Sequence, residues 1–146
     1  MRRVWFAVVA GLAVAALAGC GMGKAKAEAQ LVAEQCLNCI QRSDYQGALA
    51  LYSSTFYTTM PRDKWLDMLQ KVNAKLGPIK SYQLVGWRVF KGSMPGAGSG
   101  TFVELRYQVQ HEKYPAEVTF VVHKPSGGTA FKISGHHINS AGLLSE

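Results

Sequence analysis

The spacing of apolar residues changes once along the chain, from a helical period in its first half to a strand period in its second. Up to residue 76 the apolar positions recur every three or four residues, as they do on one face of an α-helix. After Pro78 they alternate with polar residues, as on a strand with one buried face. Helices followed by a run of strands predict an α+β domain.

Three helices are predicted in the first half. Residues 26–42 lack Pro and Gly and carry an apolar stripe at helical spacing, made of Ala29, Val32, Ala33, Cys36, Cys39 and Ile40. Asp44 can cap a second, short helix. Pro61 favours the first position of a third helix, which we expect to end at Gly77. We expect residues 53–60 to form a connecting segment.

Four strands are predicted in the second half, over residues 81–91, 101–112, 116–124 and 129–139. In the second of these, apolar residues occupy every other position, which predicts one buried face: Val103, Leu105, Tyr107 and Val109. Residues 92–100 are rich in glycine and predict a long hairpin loop. We therefore expect N-terminal helices packed on one face of a curled four-stranded antiparallel sheet.

The N-terminus has the organisation of an export signal. Arg2 and Arg3 precede an apolar run over residues 4–17, and the order Leu17-Ala18-Gly19-Cys20 resembles the lipobox of bacterial lipoproteins. The apolar run is shorter than the roughly 20 residues of a membrane-spanning helix, the alternative interpretation. We expect a signal peptide over residues 1–19, a lipidated tether over 20–25, one domain over 26–139 and a tail over 140–146.

This resemblance implies where the protein is located. A lipobox cysteine is diacylated, so Cys20 would bind the membrane through two acyl chains, which suffice for stable attachment. Gly21 is not the aspartate that favours inner-membrane retention, so we expect a lipid anchor in the outer membrane of a bacterial envelope, facing the periplasm. The formal charge is +7, and the basic residues are scattered, which argues against a nucleic-acid partner.

Short motifs across the predicted domain resemble a bacterial domain of unknown function, family 4019. They are Asp44-Tyr45-Gln46-Gly47-Ala48, the Trp65 to Gly77 helix, Met94-Pro95-Gly96 with Gly100, Glu117, and Lys132-Ile133-Ser134-Gly135-His136. The resemblance implies a cystatin-like or nuclear-transport-factor-2-like fold. Relatives of that fold bind small apolar ligands between a curled sheet and its helices.

Aromatic residues are the candidates for lining such a cavity. The set comprises Tyr45, Tyr52, Phe56, Trp65, Trp87 and Tyr107. The alternative is that they simply fill the core. An enzyme in this cavity would need a carboxylate base there, but Asp44, Asp63 and Asp67 occupy cap or polar-face positions of helices. No catalytic residue is therefore assigned, and a non-enzymatic domain is favoured.

Cys36 and Cys39 form a CxxC motif within the first predicted helix. Redox motifs of this type begin a helix, where the thiol pKa is lowered, whereas this pair lies mid-helix on the apolar stripe. Three interpretations follow: buried free thiols, a local structural disulfide, or a redox or metal site. We expect a structural role.

His111 and His137 are the remaining candidates. If Lys124 lies opposite Thr129, the predicted register places these two histidines on one face, two strand spacings apart. No third ligand is assured beside them, so we expect solvated histidines at strand ends and assign neither metal nor cofactor.

Three functions remain open. The first is a membrane-tethered domain that binds an envelope protein or a small apolar ligand. The second is a small-molecule enzyme that uses the cavity, and the third is a structural envelope subunit. A closed core with an exposed apolar patch would favour protein binding. A cavity that holds an ionisable group with a perturbed pKa would favour the enzyme.

Overall fold

The computed structural model describes the backbone of residues 17–145 and the side chains of residues 21–145. In the described part the helices are α1 (Leu17–Gln41), α2 (Tyr45–Leu49), α3 (Ser54–Thr59) and α4 (Arg62–Leu76). The strands are β1 (Ile79–Met94), β2 (Gly98–His111), β3 (Pro115–Pro125) and β4 (Lys132–Asn139). A short 3₁₀ helix, Ala141–Leu143, follows β4.

The four strands form one antiparallel sheet in the order β1-β2-β3-β4. Irregularities in the pairing lie between Ile79 and Ser81, between Leu84 and Gly86, and between Val121 and Val122. Irregularities of this kind generally increase the local twist of a sheet. The helices cover one face of this curled sheet. The predicted α+β architecture is confirmed.

Helix α1 lies across the sheet and packs against all four strands. Its small residues Ala29 and Ala33 are fully buried, which allows a close approach to the strands. The described part of α1 starts at Leu17, so residues 20–25, which we predicted to be a tether, are helical. Within the described residues, no helix is both long enough and apolar enough to cross a bilayer.

The short helices are defined by side-chain caps. The Gly47 N–H donates to Asp44 Oδ1 over 3.0 Å, which confirms the predicted cap of α2. The prediction of a connecting segment over residues 53–60 is wrong, because Ser53 caps α3 by accepting from the Phe56 N–H over 3.2 Å. Helix α4 ends at Gly77, whose φ of 86° favours glycine.

The hairpin between β1 and β2 is tighter than predicted. Both strands continue into the glycine-rich stretch until Met94 pairs with Gly98, so the predicted long loop over residues 92–100 is wrong. The Ala97 N–H donates to the Met94 carbonyl over 3.2 Å and closes the turn. Gly96 and Gly98 both have φ of 81°, a conformation that glycine adopts without strain.

The core lies between the helices and the sheet. The four alternating residues of β2 predicted to face inward, Val103, Leu105, Tyr107 and Val109, are fully buried. Helix α4 has an apolar stripe at helical spacing, made of Trp65, Met68, Leu69, Val72 and Leu76, and of these Trp65, Leu69 and Leu76 are buried in the same core. Residues 140–146, predicted as a tail, include the 3₁₀ helix, and its Gly142 is buried.

Candidate functional site

Three of the predicted cavity residues form an aromatic cluster where α3 and α4 meet the core. The ring centroids of Tyr52 and Phe56 lie 4.7 Å apart, and those of Phe56 and Trp65 lie 5.2 Å apart. The ring of His136 from β4 joins them, 5.2 Å from Trp65 and 4.4 Å from Phe120. These rings pack against each other and fill the space in which the family resemblance implied a ligand cavity.

A chain of buried polar groups runs through this cluster. The sulfur of Cys36 lies 3.4 Å from the Tyr52 hydroxyl, which lies 2.7 Å from Nδ1 of His136. The thiol can donate to the phenol oxygen while the phenol donates to Nδ1 of the imidazole, so both contacts can be hydrogen bonds. Residues from α1, the α2–α3 connection and β4 are thereby joined.

Burial controls the protonation of all three groups. It raises the pKa of Cys36 to about 12 and raises the pKa of Tyr52 well above its usual value. It also lowers the pKa of His136 to about 3, with a smaller contribution from neighbouring His137. At neutral pH the three groups are a thiol, a phenol and a neutral imidazole. This arrangement stabilises the core and supplies neither a thiolate nucleophile nor a cation.

A partly enclosed space within the core is small. It measures about 20 Å³ and is lined by apolar side chains together with His111, His136 and Asn73. The Gly77 carbonyl accepts from Nδ1 of His111 over 2.7 Å, and burial lowers the pKa of this histidine. A space of this size holds one water molecule and no organic ligand.

The other cavity candidates lie elsewhere. Tyr107 is fully buried beneath α1, with its hydroxyl 3.3 Å from a Glu34 carboxylate oxygen. Tyr45 is half-buried at the margin of the core. The side chain of Trp87 on β1 is 49% exposed, and the Lys26 ammonium lies 5.7 Å from its ring. The six aromatic residues therefore do not surround a common space.

Cys36 and Cys39 are both buried free cysteines in the structure. Cys36 belongs to the polar chain with Tyr52, whereas the sulfur of Cys39 lies 3.8 Å from a guanidinium nitrogen of Arg42. The two thiols thus have different partners although they belong to one short motif.

The predicted register of the histidines is wrong. His137 lies opposite Thr119 rather than Ala116, because the turn after β3 is longer than expected and β4 contains an irregularity near Ser134. His111 lies on the core face, whereas His137 is exposed on the other face. His111 and His136 are buried, so the expectation of solvated histidines at strand ends is wrong for both.

An open groove lies between α4 and the outer edge of β4. It has a volume of about 520 Å³, and its walls are largely apolar, with Met60, Trp65, Met68, Val72, Ile138 and Leu143 among the lining residues. Met68 is 43% exposed, which is high for a large apolar side chain. We call this feature the β4 groove.

Among the described residues, the outer backbone edge of β4 has hydrogen-bond partners only at its beginning. The Ile133 N–H donates to the Leu51 carbonyl over 2.9 Å, and its carbonyl accepts from the Ser53 N–H over 2.8 Å. Residues of one strand whose side chains share a face direct their backbone groups to the same side. The extra residue at the irregularity near Ser134 places His136 and Ile138 on the core face with Ile133, so their N–H and C=O groups are directed to the outer edge of β4, beside the β4 groove. Outside the pairing of β3 with β4, no backbone hydrogen bond joins these groups to another described residue.

Sequence reasoning missed this groove. Met68 belongs to the apolar stripe of α4, and Ile138 and Leu143 lie in or after the last strand, so each fits a core position equally well. No local pattern in the sequence distinguishes a wall that faces a groove from one that faces a packed interior.

Comparison with known proteins identifies a family and no function. The profile of the family described as "Protein of unknown function (DUF4019)" matches residues 32–136. The matched range includes the Cys36, Tyr52 and His136 chain and most of the β4 groove. No curated protein matches the chain, and no solved structure does.

Proposed function

Because the chain belongs to the DUF4019 family, whose function is unknown, we propose a function from its own geometry. It is a lipid-anchored protein of the bacterial cell envelope, held in the outer membrane by Cys20 and facing the periplasm. Its domain is non-enzymatic and binds an extended segment of a partner protein in the β4 groove. The observation that carries the proposal is a filled core beside an open apolar groove, in which part of the outer edge of β4 is unpaired.

The chemistry of the groove favours a polypeptide over a small molecule. Outward N–H and C=O groups of His136 and Ile138 match the backbone of an added strand. Alternate side chains of that strand would enter the apolar space beside Met68 and Val72. Exposed apolar surface of this kind, next to an unpaired strand edge, is typical of an interaction site.

Two observations weigh against the enzyme alternative. The space inside the core is about 20 Å³, which is too small for a substrate. The perturbed groups Cys36, Tyr52 and His136 are held in their neutral forms, and burial rather than a charged partner is the main cause. Their perturbation therefore reports packing.

Binding is tested with random heptapeptides displayed on phage and selected against the full chain. Selected peptides should slow amide hydrogen exchange at His136 and Ile138, and Met68→Glu should weaken their binding at least tenfold. Leu31→Glu is the matched control, because Leu31 is 69% exposed on α1, outside the groove lining. Peptides that protect another surface, or that bind both variants equally, would contradict the groove assignment.

Anchoring is tested by fractionation of cells and mass spectrometry of Cys20. Cys20→Ala should release the protein from membranes, whereas Cys39→Ala should leave it bound. Gly21→Asp should move it from the outer to the inner membrane. An unmodified Cys20, or fractionation that Cys20→Ala does not change, would overturn the proposed location.

A further inference from the structure

We propose that the end of the domain at which the N-terminal part of α1 lies is a docking surface for anionic lipid headgroups. We call it the hairpin-end surface and define it by Met22, Lys24, Lys26, Trp87, Lys91 and Lys124. This inference goes beyond partner binding. It rests on the proposed anchor only for the orientation of the surface toward the bilayer, because the charge and the apolar side chains of the surface belong to the folded domain.

The fold brings these residues together from three elements. Lys91 pairs with Thr101 of β2, which pairs with Lys124 of β3, so the two lysines belong to one row across the sheet. The N-terminal part of α1 lies over this row, and together they line a depression of about 230 Å³ that also includes Met22 and Lys24. Nothing in the order of these residues along the chain indicates this cluster.

The hairpin-end surface has a net positive charge. Glu28 is the one carboxylate among the residues that line the depression. Its two oxygens lie 3.9 Å from the Lys24 ammonium and 3.6 Å from the Lys124 ammonium. Lys26 and Lys91 add two further cations, and the surface is therefore complementary to anionic headgroups.

Exposed apolar side chains accompany the lysines. Met22 and Trp87 are each 49% exposed, and Lys26 lies over the indole ring. An amphipathic indole beside lysines is favoured at the boundary between headgroups and acyl chains. This combination distinguishes a bilayer from a soluble anion as the occupant.

The position of the anchor supplies the third argument. Cys20 belongs to α1, and a helix rises about 1.5 Å per residue, so its backbone lies only about 3 Å along the axis from Met22 and about 6 Å from Lys24. Acyl chains on Cys20 would hold this end at the bilayer. The β4 groove, at the opposite edge of the sheet from β1, would then remain open to the periplasm.

The test uses the full chain in vesicles that contain about one third phosphatidylglycerol, with a polarity-sensitive fluorophore on an introduced cysteine. Ser93→Cys reports on the hairpin end. Gln110→Cys is the matched control. Ser93 pairs with Ser99 of β2, and Gln110 lies eleven residues further along that strand, a distance of roughly 35 Å. Only the Ser93→Cys probe should shift to the blue and be quenched by headgroup-linked quenchers. Equal water exposure of both probes would overturn the inference.

Charge reversal supplies the second test. Lys26→Glu with Lys91→Glu should reduce bilayer contact of the Ser93→Cys probe by at least about twentyfold, since each lysine near an anionic surface contributes about fivefold. Lys64→Glu with Lys80→Glu changes the net charge equally elsewhere and should have little effect. Equal effects of the two pairs, or equal contact with pure phosphatidylcholine vesicles, would overturn the docking surface.

The two proposals fail in distinguishable ways. If the anchor proposal fails, Cys20 is unmodified by mass spectrometry and reacts with the fluorophore. The charge-reversal pairs are then compared by flotation with the same vesicles, and equal flotation overturns the docking surface on its own. If only the docking surface fails, the protein stays anchored while the Ser93→Cys probe remains in water.

Discussion

The layer beneath α1 and the space beside α4 are built from similar residues, yet one is closed and the other is open. Beneath α1, Tyr107, Leu105 and Val103 are fully buried. Beside α4, Met68 and Val72 line a groove of about 520 Å³. Apolar composition is therefore not what separates a core from a binding surface in this domain.

The difference arises from how closely each helix approaches the sheet. Helix α1 presents the small residues Ala29 and Ala33 and contacts every strand. Helix α4 turns Leu69 and Leu76 into the core but rests mainly on α2 and the 3₁₀ helix. Its exposed flank stands away from β4, and the edge of that strand stays accessible.

Thiol labelling gives the largest expected contrast between the two regions. At pH 8, Cys36 should react with a maleimide roughly a thousandfold more slowly than a cysteine introduced by Met68→Cys in the groove, as mapped by peptide mass spectrometry. Burial raises the pKa of Cys36 to about 12, so almost no thiolate is present. Denaturant should abolish the difference. Native rates within tenfold of each other would show that the layer beneath α1 opens readily.

Adjacent residues of α4 provide a stability test of the same contrast. Leu69→Ala should lower the free energy of unfolding by about 3 kcal/mol, because Leu69 is buried and the truncation leaves a cavity. Met68→Ala should change it by less than about 0.5 kcal/mol, because this side chain faces the groove. Urea denaturation measures both. Similar values for the two variants would contradict the assignment of one side of α4 to the core and the other to the groove.

The dependence of stability on pH should distinguish His136 from His137. The unfolded imidazole has a pKa near 6.5, whereas burial lowers that of folded His136 to about 3. Between these values the unfolded chain binds a proton that the folded chain excludes. The contribution of neutral His136 to the free energy of unfolding is therefore fully present above pH 6.5. It is lost as the pH falls, by up to about 1.4 kcal/mol per pH unit.

Two variants isolate this contribution. His136→Gln, whose amide can still accept from Tyr52, should reduce the loss of stability between pH 6.5 and 4. His137→Asn should retain most of it, because this neighbour is exposed on the other face of the sheet. Urea denaturation at several pH values gives the slopes. An unchanged slope in His136→Gln would show that His136 is not held neutral in the core.

The predictions from sequence succeeded where one periodic pattern described one element. The stripe of α1, the Asp44 cap, the end of α4 at Gly77 and the alternation in β2 are all present. They failed where the helix propensity of the residues and their capping and packing interactions favour different conformations. β-branched and aromatic residues disfavour a helix in α3, yet the Ser53 cap and packing of Phe56 stabilise one.

Register was the second source of error, and it changed the interpretation of the site. One irregularity near Ser134 and a longer turn moved His137 from a position opposite Ala116 to one opposite Thr119. A shift by three residues, like any shift by an odd number, exchanges the two faces of a strand. His136 is therefore joined to Tyr52 in the core, an interaction that connects positions 84 residues apart.

The sequence by itself determined the succession of helices followed by strands, the inward faces of α1 and β2, and the lipobox-like order at Cys20, because each depends on neighbours within a few residues. The tertiary structure decided the rest. Whether aromatic residues close a cavity, whether α4 stands away from β4, and which lysines meet beside α1 depend on distances between elements far apart in the chain. Local periodicity does not encode those distances, so both proposed interaction surfaces emerged only from the folded arrangement.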